Sequence, residues 1–304
     1  MLTRPDILVL GGGGVLGEAW MMGVLAGIED ATGFDLRQCE YFVGTSAGSM
    51  VAAHLVAGRA PRRPSQLGGE LALAGTGASN SLARVGARAA RRAGAMALTA
   101  GSAFAPLALG LSAPGGALLR AGMLRALPRP ADTLEDVRRQ VAASGARFDG
   151  RLRVAAVDRR SGRRVMFGSP RAPVCPVADA VAASCSVPWL FAPVRIQGRD
   201  YVDGGVWSAT NLDGAPAGLH THVLCLNPTA NIAGTHSMIA LIRSVARSAV
   251  SVEAMAVRRR GAAVQTVAPS MDAAAAMGTN FLDREPRERT LFSGYRQGIA
   301  LAGS

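Results

Sequence analysis

The feature that most constrains this chain is an apolar run followed by a glycine turn and a helical pattern, and it occurs twice. Ile7-Leu8-Val9-Leu10 leads into Gly11 to Gly14, and Tyr41-Phe42-Val43 leads into Gly44-Thr45-Ser46-Ala47-Gly48. After the first turn, apolar residues at Met21, Val24, Leu25 and Ile28 carry a helical period through Glu18 to Ala31. After the second, Ala47 to Ala57 continues as a helix that Gly58 closes. Two strand–turn–helix units in succession require parallel strands joined by helical crossovers. The G-x-S-x-G pentapeptide also places a serine on a sharp strand-to-helix turn, with its hydroxyl pushed outward. Backbone N–H groups in the upstream glycine turn can stabilise an oxyanion.

The rest of the chain continues the pattern. Helices are predicted over Thr133 to Ala143, Val177 to Ser184, Met238 to Arg260, Met271 to Met277 and Arg287 to Ala300. Strands are predicted at Leu152 to Val157 and Arg164 to Phe167 around a Ser161-Gly162 turn, at Val194 to Ile196 and Tyr201-Val202, at His222 to Leu226, and at Val264 to Val267. The expected fold is a three-layer α/β/α sandwich with a mostly parallel central sheet, one domain over 1–304. Residues 59–130 are an insertion after the nucleophile helix. Its arginines, Arg59, Arg62, Arg63, Arg84, Arg88, Arg91 and Arg92, precede an uncharged stretch from Ala93 to Leu119. Pro106, Pro114 and glycines including Gly101, Gly110, Gly115 and Gly116 argue against a simple membrane span. A mobile lid, an interfacial segment and a loosely helical packed insertion remain open.

Charge bears on partners. The chain of 304 residues carries a net charge of +12, and all 33 basic residues are arginine. Uniform arginine with abundant alanine points to a GC-rich bacterial coding sequence. The positive charge favours an anionic membrane surface, although plain solubility charge explains it equally well. Aromatic residues make up 5% and no stacking platform is visible, so no nucleic-acid partner is expected. Cys39, Cys175, Cys185 and Cys225 are widely spaced, with no ligand spacing for a metal; buried reduced thiols in a reducing compartment are expected. No charged-then-apolar leader precedes the first strand, which points to a cytoplasmic protein, peripheral to the inner membrane face at most.

Which group would activate Ser46 is less direct. Serine hydrolases commonly use a histidine held by a carboxylate. His54 lies on the same helix as the serine turn, His220 and His222 lie at a strand start, and His236 lies near a helix start; none sits in a distinctive motif. Asp203 is the better candidate. It follows a short strand in Tyr201-Val202-Asp203-Gly204-Gly205, where two glycines allow a sharp turn and close backbone approach. A carboxylate there can take the Ser46 proton directly.

Four ordered motifs resemble the patatin-like phospholipase family. These are Gly12-Gly13-Gly14-Val15-Leu16-Gly17, Gly44 to Gly48, the run from Ala183-Ser184-Cys185-Ser186 through Pro188, Phe191 and Pro193-Val194, and Asp203-Gly204-Gly205 with Asn211 beyond it. Leu16 stands where the family often has arginine or lysine, and the spacing from Gly17 to Gly23 is one residue longer than is common. The resemblance covers residues 6–58 and 150–215, and more weakly 294–298. It implies that Ser46 is the nucleophile and Asp203 the base, with Gly12, Gly13 and Gly14 as the oxyanion hole and Gly17, Gly44, Gly48, Gly204 and Gly205 as motif support. The implied activity is hydrolysis of lipid carboxylic esters, phospholipase A or lysophospholipase-like, through an acyl-serine, with no metal or cofactor. Two rivals stand beside it. Gly12-x-Gly14-x-x-Gly17 also fits a dinucleotide fingerprint, for which Glu40 or Asp35 would have to supply the ribose-binding acid. A catalytically silent lipid- or partner-binding module on the same fold is the other.

Overall fold

The structure, a computed structural model, describes residues 2–66, 116–231 and 237–303. Among them, the elements run β1 (Ile7–Leu10), α1 (Gly14–Thr32), β2 (Tyr41–Thr45), α2 (Ala47–Val56), α3 (Gly116–Ala126), α4 (Glu135–Ser144), β3 (Leu152–Asp158), β4 (Arg164–Phe167), α5 (Val177–Cys185), β5 (Val194–Ile196) and β6 (Arg199–Asp203). They continue through β7 (His222–Leu226), α6 (Ser237–Arg258), β8 (Ala263–Val267), α7 (Met271–Met277) and α8 (Arg287–Gly303). The strands form one sheet in the order β5-β6-β3-β2-β1-β7-β8, with β4 also paired to β3. From β3 to β8 that path is parallel, whereas β4, β5 and β6 pair antiparallel. The fold is the expected α/β class.

Strand β1 shows why the sheet is covered on both sides. All four of its residues are fully buried, and alternate side chains point to opposite faces. Leu8 and Leu10 join a core with α1, α2, α5 and α8. Ile7 and Val9 join Val43, Val223 and Cys225 against Val250, Ala254 and Val257 of α6. A third, smaller cluster packs Leu124 of α3 on Val157, Val202 and Val206. Parallel strands need such cover, because neither face can meet water.

Helix α1 begins at Gly14, four residues before the predicted start at Glu18, so the glycine run forms the helix N-terminus itself. The helix is buried nearly all round, because α8 crosses its outer side at backbone contact. A Cβ on Gly23 or Gly27 would lie 2.2 Å from the carbonyl oxygens of Leu291 or Tyr295. Reciprocally, Gly294 and Gly298 face the carbonyls of Trp20 and Val24, at 2.5 and 2.2 Å for the same added atom. Four glycines thus seat two helices backbone to backbone. Leu16 is fully buried in this core, which explains how an apolar residue serves at that position.

The 59–130 insertion is described only at its ends. Pro64–Gln66 form a single helical turn, and α3 falls within the stretch that looked poorly patterned. The expected lid or interfacial segment at 84–119 lies outside the described residues up to 115. No described helix is long and apolar enough to cross a membrane.

Candidate active site

Sheet register brings the serine turn and the Asp203 turn together. Strand β4 faces residues 154–157 of β3 along one edge. Strands β2 and β6 pair with residues 152–155 and 156–158, so they share the other edge and meet end to end. Thr45 faces Ala155 and Asp203 faces Ala156. The residues at the two converging ends, Ser46 and Asp203, are neighbours for that reason.

Ser46 has φ 50° and ψ −122°, a strained conformation for a residue with a side chain, held between β2 and α2. The flanking glycines make it possible. A Cβ on Gly44 would lie 2.4 Å from Ser49 Cα, and one on Gly48 would lie 1.9 Å from the Leu10 carbonyl oxygen. The end of α5 pins both partners. The Ser46 N–H donates to Ser184 Oγ at 2.8 Å, and that hydroxyl donates to the Ala155 carbonyl at 2.6 Å. The Asp203 N–H donates to the Ser186 carbonyl at 2.9 Å. Ser184 and Ser186 belong to a motif read from the sequence, but their roles were not legible there.

Asp203 is 1% exposed. Its Oδ1 accepts the Gly205 N–H at 2.7 Å, while Oδ2 is buried with no hydrogen-bond partner among the described residues. Burial pushes the carboxyl up to about 7, against the pull of the Gly205 N–H and the nearby Ser46 hydroxyl. Gly204 is required by contact, since a Cβ would lie 2.4 Å from the Ala155 carbonyl oxygen. Cys185 also borders the site, but burial and then the Asp203 charge push its thiol far up, so it carries no thiolate to compete with Ser46.

The glycine loop lies across from the serine. A Cβ on Gly12 would stand 3.4 Å from Ser46 Cβ, so this glycine keeps the space over the hydroxyl open. Gly12 departs from the expected oxyanion role, because its N–H is already donated to the Ala209 carbonyl at 2.8 Å. The N–H groups of Gly13 and Gly14 have no acceptor among the described residues. Gly14 has φ +58° and sits against the Phe281 backbone, and Gly17 packs on Pro228, where an added Cβ would be 3.1 Å from the ring. Leu16 N–H anchors the first turn on the Phe281 carbonyl at 3.2 Å. Both α1 and α2 point their N-termini into this space, a field that favours negative charge.

The described histidines lie elsewhere. His54 Nε2 meets the Ala60 carbonyl at 3.0 Å. His222 Nδ1 lies 3.5 Å from Asp6 Oδ2, at the opposite end of the parallel strands from Ser46. His220 precedes that strand, and His236 is outside the described residues. The acid needed by the dinucleotide alternative is also missing from its place. Glu40 precedes β2 at the far end of the sheet, Asp35 is tied to Arg37, and the end of β2 that faces the glycine loop holds Thr45 and Ser46. Among the described residues no group of three metal-ligating side chains occurs.

A loop of which the sequence marked only Asn211 completes the site. Ser208 to Leu212 runs beneath both turns, with Asn211 in the left-handed conformation at φ 52°. Asn211 is fully buried and its Nδ2 donates to Thr45 Oγ1 at 3.1 Å, to the Ser208 carbonyl at 2.7 Å and to the Gly204 carbonyl at 3.3 Å.

The family model for patatin-like phospholipases matches residues 8–216, more than half of the chain, and includes every turn described above. The protein belongs to the patatin-like phospholipase family. Solved structures with similarity to it include VipD from Legionella pneumophila, at 15% identity and a TM-score of 0.43, covering 99% of this chain and 67% of that one. The type III effector protein ExoU is similar at 17% identity and a TM-score of 0.38, covering 99% of this chain and 52% of that one. The chain therefore spans about two thirds of the first and half of the second. Comparison with curated protein sequences finds no match.

Proposed function

We propose that this protein is a serine acyl hydrolase that cleaves lipid carboxylic esters with a Ser46–Asp203 dyad. One observation carries the reading: a serine on a strained turn adjoins a buried carboxylate whose second oxygen has no hydrogen-bond partner among the described residues. An aspartate poised near pH 7 is suited to general-base work. As Ser46 Oγ bonds to the ester carbonyl carbon, its proton passes to Asp203 Oδ2. The carbonyl oxygen takes the negative charge and accepts hydrogen bonds from Gly13 and Gly14 N–H. Collapse breaks the ester C–O bond, and the leaving alkoxide takes the proton from Asp203. Water then attacks the acyl-serine, gives its proton to Asp203, and releases the fatty acid while Ser46 recovers its proton.

An anionic lipid surface is the partner we favour. Arg125, Arg129, Arg159, Arg160 and Arg199 line a depression of about 360 Å³ with Asp200 as its carboxylate. On α3, which also supplies Arg125, Leu118, Leu119 and Met123 are exposed. Guanidinium groups beside exposed apolar side chains suit phospholipid headgroups and acyl chains. Vesicle binding should then rise with anionic lipid and fall with salt; indifference to both would remove the membrane from the reading.

The test of the activity is covalent labelling with a fluorophosphonate. Ser46 should label and Ser46→Ala should not, and Ser46→Ala then serves as the blank in a screen of phospholipids, lysophospholipids and simple esters. A folded chain that never labels would leave a binding module on the same fold.

A further inference from the structure

The Ser208–Leu212 loop touches all three active-site segments at once. Its Ala209 carbonyl accepts the Gly12 N–H at 2.8 Å. Its Thr210 carbonyl accepts Thr45 Oγ1 at 3.3 Å, one residue before Ser46. Its Asn211 side chain holds Thr45 from the other side and the Gly204 carbonyl, one residue after Asp203. The loop is therefore the common support of the glycine turn, the serine turn and the aspartate turn.

The loop is also tied from outside. Its carbonyls and amide face the three turns, and two further donors converge on one carboxylate from α6. Thr210 Oγ1 donates to Glu253 Oε2 at 2.6 Å, and Leu212 N–H donates to the same oxygen at 2.9 Å. The Ser208 hydroxyl also interacts favourably with this carboxyl. Ser208 Oγ in turn accepts the N–H groups of Thr210 and Asn211 at 3.2 and 3.1 Å. Glu253 lies beyond residue 216, where the family match ends. Other ionisable groups around it are Asp213, which Arg164 pairs, and the buried Cys225. Burial raises the cost of a carboxylate there, and its acceptance from both Thr210 Oγ1 and Leu212 N–H sets it apart on a helix that otherwise contributes Val250, Ala254 and Val257 to an apolar core.

We infer that Glu253 is a positioning residue: by holding the 208–212 loop it fixes the Gly12 turn, Ser46 and Asp203 relative to one another, although it touches none of them. The inference rests on the hydrolase reading for its effect on catalysis, but not for its effect on the loop. Thr210 Oγ1 and Leu212 N–H use a single oxygen of Glu253, so glutamine can accept both and leucine neither.

The test compares Glu253→Leu and Glu253→Gln in the full chain by two measurements. The first is the second-order rate of fluorophosphonate labelling at Ser46. Displacement of a reacting group by about 1 Å reduces rates by ~10², so Glu253→Leu should label at least ~10-fold more slowly, and Glu253→Gln should recover most of that loss. The second is amide hydrogen exchange, read in the peptide covering Gly11 to Gly17. Glu253→Leu should increase exchange there, where it makes no contact, and Glu253→Gln should not. Wild-type labelling by folded Glu253→Leu, or unchanged exchange in the glycine turn, overturns the inference. Should Glu253→Leu fail to fold, Thr210→Val removes one of the two donors and leaves the backbone bonds. It should show the same two effects at several-fold size, and their absence overturns the inference equally. If the wild-type chain itself never labels, the hydrolase reading fails, and the exchange measurement alone still decides the role of Glu253.

Discussion

Two parts of this molecule bury glycines for opposite ends. Where α1 crosses α8, Gly23, Gly27, Gly294 and Gly298 let backbones touch, and the contact is apolar and closed. At the other end of α1, Gly12 keeps a space open beside Ser46 while Gly13 and Gly14 pack on Pro228 and the Phe281 backbone, and that space holds a serine at positive φ, a buried carboxylate and N–H groups without acceptors among the described residues. The first region gains stability from contact. The second retains strain and desolvated charge, which stability alone would remove. The same residue type serves both because each site needs the volume of a side chain to be absent.

Substitutions can break or sharpen this contrast. The largest effect is expected at the open end. Asp203→Asn should reduce Ser46 labelling and ester hydrolysis by ~10² to 10⁴, the range for loss of a general base, with folding intact. The kcat/KM profile of the wild type should fall on the acid side with an apparent pKa near 7, because protonation of Asp203 removes the base. A flat profile from pH 5 to 9 would exclude it from that role.

The same substitution should raise stability. Lifting an aspartate from about 4 to about 7 corresponds to ~4 kcal/mol against the charged folded form. A raised folded value means the penalty is absent near pH 4, grows as pH rises to about 7 and is complete above it. Asp203→Asn should therefore stabilise the chain by up to ~4 kcal/mol at pH 8 and by little at pH 4, measured by urea unfolding. Equal stability at both pH values would show that Asp203 is not desolvated.

The closed region should respond in reverse. Gly27→Ala places a methyl 2.2 Å from the Tyr295 carbonyl oxygen, which as backbone cannot swing aside. It should destabilise by about 3 kcal/mol, the upper range for overpacking, despite a helix-propensity gain of roughly 1 kcal/mol. The smallest effect is expected at Gly122 on α3, where an added Cβ meets nothing within 4 Å. Gly122→Ala should stabilise by about 0.5–1 kcal/mol from propensity alone. A loss at Gly122 would reveal a neighbour over α3.

Much of this was legible in the sequence because local patterns carry it. Apolar runs ending in glycine gave β1 and β2, and the 3.6-residue period gave α2, α5, α6 and α8 within a few residues. The start of α1 was displaced because a glycine run carries no helical period, although its backbone adopts one here. Helix α3 was not singled out because its alanines, glycines and leucines, with only Arg120 and Arg125 among them, leave little amphipathic contrast. The candidate residues Ser46 and Asp203 were legible because glycines mark their sharp turns, Gly44 and Gly48 around the serine and Gly204-Gly205 after the aspartate. Glu253 was not, since a glutamate on a long helix looks like any solvated charge until its partners are known.

By itself the sequence determined the parallel α/β class, the two glycine turns and the residue types that meet at them. Chain order cannot show that β2 and β6 share one edge of β3, which makes Ser46 and Asp203 neighbours. Nor can it show that the Ala209 carbonyl takes the Gly12 N–H while Gly13 and Gly14 meet no acceptor among the described residues, or that α6 turns Glu253 onto the supporting loop. Those are long-range pairings, set by strand register and by the need of buried polar groups for partners, and they exist only once the sheet has closed around them.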